Sequence, residues 1–109
     1  TEAEFQREIV ALARENGWLV HHCRPSRNQA GKWSTAIQGD AGFPDLVLMR
    51  PRENGRAEVI FAELKRERGK LTPEQVAWLS PLAAAGLAVL WLPSSWATIQ
   101  EVLACPLAG

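Results

Sequence analysis

The sequence predicts an α/β domain, a mixed four-stranded sheet flanked by helices in the order α-β-β-β-α-β with a short closing helix. Three observations predict it. Apolar residues repeat at helical spacing twice, at Phe5, Ile9, Leu12 and Ala13 and again at Val76, Leu79 and Leu82. Three apolar runs of strand length separate these helices, and a fourth follows the second helix. A helix between the third and fourth strands makes that connection a crossover, so those two strands run parallel, while the first three form an antiparallel meander.

Each element has its own signals. Thr1 followed by Glu2, Ala3 and Glu4 is a helix start with acids in the first turn, and Asn16-Gly17 ends the helix. Glu4, Glu8, Ala11 and Glu15 form its wet face, whereas Glu2 and Gln6 continue the apolar face. Glu2 is therefore the acid expected to look towards the sheet. Trp18 to Cys23 reads as the first strand, and residues 24–42 as a long polar loop carrying Arg24, Arg27, Lys32 and Trp33. Leu46 to Met49 is the second strand, followed by a hairpin turn around Asn54-Gly55. Glu58 to Lys65 is the third, apolar on both faces before Glu63 and hence central. Arg66 to Leu71 is a charged loop. Thr72 caps the second helix, Pro73 opens it, and Ala85-Gly86 stops it. Leu87 to Leu92 is an uncharged fourth strand, and a closing helix runs through Ile99, Val102 and Leu103.

Composition fits one ordinary domain over residues 1–109, with 47% hydrophobic and 22% charged residues. No apolar run approaches the roughly 18 residues of a membrane span. There is no signal-peptide pattern at Thr1, and Cys23 and Cys105 are far apart and not in a metal-type spacing. A cytoplasmic protein with reduced thiols and no membrane partner is the expectation. Net charge is zero, yet all 12 Lys and Arg fall between Arg7 and Lys70. Overall neutrality therefore does not exclude a nucleic-acid partner.

The chemistry sits on the second and third strands. Asp45 stands at the mouth of one; Glu63 and Lys65 stand near the end of the other, pointing the same way because side chains alternate. Charge inside an apolar strand is costly unless it is paired or bound to a metal. Two carboxylates suit hard cations such as Mg²⁺ and Mn²⁺. A lysine beside them can orient a water, can deprotonate it once a lowered pKa frees its amine, or can as ammonium stabilise a phosphate in transit. A Glu-x-Lys triplet alone is an ordinary ion pair at a strand end, and Asp45 alone an ordinary turn former. The inward acid on helix one and the Pro44-Asp45 strand start favour the metal site. Gln75, in the first turn of the second helix, could hold a water or a phosphate oxygen. Arg24, Arg27, Lys32 and Lys70 are candidate phosphate contacts. His21 and His22 are adjacent, so only one of them can face the site, and a structural or surface role is the expectation for each.

Taken together, Pro44-Asp45 and Glu63-Leu64-Lys65 resemble the signature of the PD-(D/E)XK nuclease superfamily. Within it the chain is similar to the VRR-NUC domains of small stand-alone phage and bacterial proteins. The resemblance runs through Glu2-Ala3-Glu4-Phe5-Gln6, Gly17-Trp18, Gly42-Phe43-Pro44-Asp45-Leu46-Val47-Leu48, Glu63-Leu64-Lys65, Gly69-Lys70-Leu71-Thr72-Pro73-Glu74-Gln75, Trp78-Leu79 and Gly86. It implies a restriction-endonuclease-like core and cleavage of phosphodiesters with Mg²⁺ or Mn²⁺. It implies metal ligands at Asp45 and Glu63, a catalytic Lys65, a supporting Gln75 and a helix-one acid, either Glu2 or Glu4. No small-molecule cofactor is implied. Small members look like Holliday-junction resolvases that act as homodimers, which points to branched or four-way-junction DNA. The alternatives are a non-catalytic nucleic-acid-binding module on the same fold, and a flap or restriction-type nuclease.

Overall fold

Helix α1 spans Glu2–Glu15 in the computed structural model, which describes residues 1–22 and 39–105 together with the backbone pairing of Ser26–Arg27 and Trp33–Ser34. Thr1 caps α1: its hydroxyl accepts the Glu4 N–H at 3.1 Å, and the Glu4 side chain turns back to the Thr1 backbone. Phe5, Ile9 and Ala13 are its buried face.

The main sheet comprises β1 (Leu19–His22), β4 (Leu46–Pro51), β5 (Ala57–Leu64) and β6 (Ala88–Trp91), in the spatial order β1-β4-β5-β6. The first three are antiparallel and β6 runs parallel to β5, with β5 in the interior of the sheet. β4 and β5 turn through Asn54 and Gly55, both at positive φ, 64° and 72°. The ribbon β2 (Ser26–Arg27) with β3 (Trp33–Ser34) lies where the sequence reads only as loop. Strands of two residues are too short to show a period.

Register and alternation sort the side chains. Leu46, Leu48, Ile60, Ala62, Leu64 and Trp91 share one face, packed against Phe5, Ile9 and Ala13 of α1 and against Ile99 and Leu103 of α3 (Trp96–Leu103). Each such fully buried aliphatic side chain contributes roughly 1.5–3 kcal/mol. The other face carries Phe61 and takes α2 (Pro73–Ala84). Val76, expected inward, is exposed. Helix α2 is apolar nearly all round, so its wheel defines no single inner face.

The far end of β4 is held by a buried cation. Arg50 lies over the Trp18 ring at 4.5 Å, and its Nη2 donates to Glu58 Oε1 at 2.8 Å. Its Nη1 reaches the carbonyls of Asn16 and Leu103 at 3.5 and 3.4 Å, and Trp18 Nε1 donates to the same Leu103 carbonyl at 2.9 Å. One guanidinium thus ties the ends of α1 and α3 to β4. Among the described residues no helix is long and apolar enough to cross a membrane.

Candidate active site

The site is created where β4 and β5 part. Their last paired residues are Leu46 and Ala62. The next pairs would bring in Asp45 and then Pro44, which has no N–H to give. The strand ladder stops, and the Leu64 N–H loses its natural acceptor. Asp45 Oδ2 takes that N–H at 2.9 Å instead. The carboxylate is therefore fixed against the end of β5 by a bond to the backbone between Glu63 and Lys65.

What pulls the chain away from β5 is the segment before Pro44. Gly42 has φ +96°, and a Cβ built on it would stand 2.5 Å from the carbonyl C and O of Glu74 and 2.8 Å from the Gln75 nitrogen. The loop lies directly on the start of α2. Trp78 holds it there, its indole N–H shared between the carbonyls of Ala41 at 3.1 Å and Asp40 at 3.3 Å. Phe43 packs edge-on between Trp78 and Phe61, at centroid distances of 5.0 and 5.9 Å.

Glu63 is 1% exposed, although its strand gives it no cation in contact. Its Oε2 is buried without a hydrogen-bond partner among the described residues. Its carboxyl is pushed up to about 9. Burial is the main cause, followed by the Asp45 carboxyl through a shared hydrogen bond and through its charge. Glu2 adds to the push, and Lys65 opposes it. Asp45, Glu2 and Lys65 are thus all within electrostatic reach of Glu63. A buried carboxyl with one oxygen left over, beside the half-buried carboxyl of Asp45, forms a place built for positive charge.

The helix-one acids divide. Glu4 is spent on the α1 cap and is largely in water. Glu2 is also exposed, but its charge is felt by Glu63. One turn on from Glu2, Gln6 Nε2 lies 3.4 Å from Nδ1 of His22, whose register partner is Leu46. His21 is exposed on the opposite face of β1. Gln75 also has local employment: its Oε1 accepts the Thr72 N–H at 2.9 Å, while Thr72 Oγ1 accepts the Gln75 N–H at 3.2 Å. Its amide nitrogen and the second lone pair of Oε1 are left to serve the site. Lys70 is exposed on the turn after β5. Arg24 and Lys32, with the side chains of Arg27, Trp33 and Cys23, lie outside the described residues.

Sequence reasoning missed three parts of this site: the Asp45 bond to Leu64, the Gly42 contact with α2 and the Trp78 strap. The last two connect residues more than 30 apart, and no local pattern announces them. Gly42 alone left a trace, as a glycine directly ahead of an apolar Phe-Pro-Asp start.

Glu2→Gln is expected to lower activity and raise the metal concentration needed, whereas Glu4→Gln changes little. Metal titrations of the cleavage rate for both variants compare them. A loss confined to Glu4→Gln would exchange their roles.

No curated protein and no solved structure matches the chain. The VRR-NUC domain profile matches residues 13–96, which include Asp45, Glu63, Lys65 and Gln75 but not Glu2. With that match over most of its length, and with Asp45 and Glu63 brought together where β4 and β5 part, the chain belongs to the VRR-NUC family of the PD-(D/E)XK nuclease superfamily.

Proposed function

We propose that this domain is a divalent-metal-dependent endonuclease that hydrolyses phosphodiester bonds of DNA, with branched or four-way-junction DNA as its substrate and a homodimer as its working form. The nuclease function follows from the family. The observation that carries metal dependence is the orphaned, buried oxygen of Glu63 beside Asp45. A carboxyl that burial keeps protonated is relieved when a cation replaces the proton. Two carboxylates suit Mg²⁺, which keeps several waters and is bound by one or two carboxylates plus substrate phosphate. Asp45 and Glu63 would hold the ion, with Glu2 at its edge. Mg²⁺ or Mn²⁺ there supplies the positive charge that acidifies a nearby water and offsets charge gathering on the phosphate.

The chain's own residues do the rest. The Leu64 N–H fixes one oxygen of Asp45, so the pair cannot spread apart when the substrate arrives. Lys65 is half-buried on the same side of β5 as Glu63. Its ammonium orients the attacking water and stabilises the five-coordinate phosphate, where negative charge is greatest. Lys65→Ala is expected to cut turnover about a hundredfold or more while DNA binding weakens only a few-fold. Equal losses in both would make Lys65 a backbone contact only.

Four-way junctions and the homodimer are the finer part of the proposal, drawn from the likeness to small stand-alone members of the family. The surface that suits a second copy is the β6 edge. Val76, Leu87 and Leu90 are exposed there around an apolar groove of about 230 Å³ between α2 and β6. The test is cleavage of labelled duplex, flap, single-stranded and four-way-junction DNA with Mg²⁺, with Mn²⁺ and with EDTA. Metal-dependent cutting that prefers the junction is the expected result. A preference for flap or duplex would replace the junction. Binding without cutting under any metal would make the domain a nucleic-acid-binding module.

A further inference from the structure

Directly after Lys65 the chain makes a tight turn, residues 66–70, that exposes Arg66, Arg68 and Lys70. None of the three has an ion-pair partner among the described residues. The acid within the turn is already occupied. Glu67 accepts the Ser94 backbone N–H on one oxygen and the Ser94 hydroxyl at 2.8 Å on the other. Ser94 stands in the short Pro93–Ser95 turn that leads into α3, where backbone N–H groups lack partners. On its other side the turn folds back on Lys65. The Gly69 N–H donates to the Arg66 carbonyl at 2.8 Å. A Cβ on Gly69 would stand 3.3 Å from both Cβ and Cδ of Lys65.

Charged loops are usually only solvated, but this one differs in three ways. It is pinned at both ends, to the Lys65 stem and to the start of α3. Its acid is engaged by the backbone N–H and hydroxyl of Ser94. And it completes the basic half of the chain, since residues 71–109 contain no Lys or Arg. The result is a group of exposed cations on a turn tied down at Glu67 and Gly69, its acid occupied by Ser94, next to the residue that faces the reacting phosphate.

We propose that the 66–70 turn is a phosphate-binding arm that grips the DNA backbone beside the scissile bond, with Arg66 and Arg68 as its contacts and Glu67 as its internal anchor. The inference rests on the nuclease assignment above. Each cation that neutralises a phosphate releases counterions, so each contact steepens the fall of log K with log salt by about 0.9 on duplex DNA. Pinning matters because an arm ordered beforehand loses less entropy on binding.

The test is the affinity of the full chain for a fluorescein-labelled DNA duplex, by anisotropy in EDTA, between about 50 and 200 mM salt. The double variant Arg66→Ala/Arg68→Ala is expected to flatten the salt slope by about two and to lower affinity about tenfold or more. Arg56→Ala, on the hairpin at the other end of β4, is the control and should keep the wild-type slope. Ser94→Ala changes no charge but removes one of the two bonds to Glu67; it is expected to weaken binding about threefold. A double variant with the wild-type slope, or an Arg56→Ala loss as large as that of the double variant, overturns the arm. Wild-type affinity in Ser94→Ala overturns the anchor. Flattening of the slope in the double variant supports the arm even where no cleavage is found, whereas cleavage with an unchanged slope overturns the arm alone.

Discussion

Glu63→Gln is expected to abolish metal-dependent cleavage and, in the same protein without metal, to raise the melting temperature at pH 8. Both effects have one origin. The folded protein holds the Glu63 proton up to about pH 9, whereas the unfolded chain releases it near the ordinary value of 4.5. Between those limits the folded state binds more protons than the unfolded one, so stability is greatest below 4.5 and falls as pH rises towards 9. An amide has no proton to lose and leaves this part of the pH dependence flat. Carboxyls away from Glu63 titrate in both proteins and cancel in the difference between the two melting curves. Turnover should fall about a hundredfold or more, as when a group that stabilises developing charge is removed. Melting curves of wild type and variant in EDTA across pH 5 to 9 test the linkage. Curves that run parallel would mean that Glu63 is an ordinary carboxylate and its buried oxygen no reservoir for a cation.

Asp45 will not behave in the same way. From the sequence, Asp45→Ala is expected to leave the fold at least as stable, because it relieves repulsion between two carboxylates. The bond from Leu64 gives the side chain a second duty, and its removal strands a partly buried N–H at a cost of about 1–3 kcal/mol. Asp45→Asn keeps an acceptor oxygen and is the cleaner way to remove the charge.

Gly42→Ala is expected to be the most damaging of the small changes. The new Cβ meets backbone atoms of Glu74 and Gln75 at 2.5–2.8 Å, and these cannot swing aside as a side chain can. The φ of +96° adds its own strain. Together they should cost about 3 kcal/mol, a fall in Tm of roughly 10 °C or more. Activity should fall further than stability, because Asp45 lies three residues on and Gln75 is at the point of collision. Gly39→Ala separates the two causes: Gly39 also has positive φ, 120°, but no described residue comes within 4 Å of its added Cβ. Similar melting temperatures for the two variants would show that the close approach to α2 carries no weight.

How much of this was legible in the sequence depended on how local each signal was. Thr72, Pro73 and Gln75 announce a helix start within four residues, and the capping box is there. Glu63 announced itself by being charged where its neighbours Phe61, Ala62 and Leu64 are apolar, since only a special reason keeps a carboxyl in such a strand. Strand ends differ by about one residue, the usual ambiguity where pairing frays. The bonds that set the site's shape were not legible. Trp78 reaches back to Asp40 and Ala41, Glu67 reaches forward to Ser94, and Trp18 reaches Leu103 across 85 residues. Each is made only once the sheet has brought its partners together. Gln75 was legible as a polar residue near the site, but not as one whose carbonyl oxygen already serves the cap.

The buried Arg50 has a consequence for how the domain can change. β4 bears its two critical charges at opposite ends, Asp45 and Arg50, about 17 Å apart along an extended strand. The residues that hold them are different: Leu64 at one end; Trp18, Glu58 and Leu103 at the other. Substitutions that far apart, with no shared neighbour, add in free energy. Losses of stability at the Asp45 end can therefore be made good at the guanidinium end without disturbing Asp45. In a domain this small, that separation lets the residues around Asp45 vary while the fold stays above its threshold of stability.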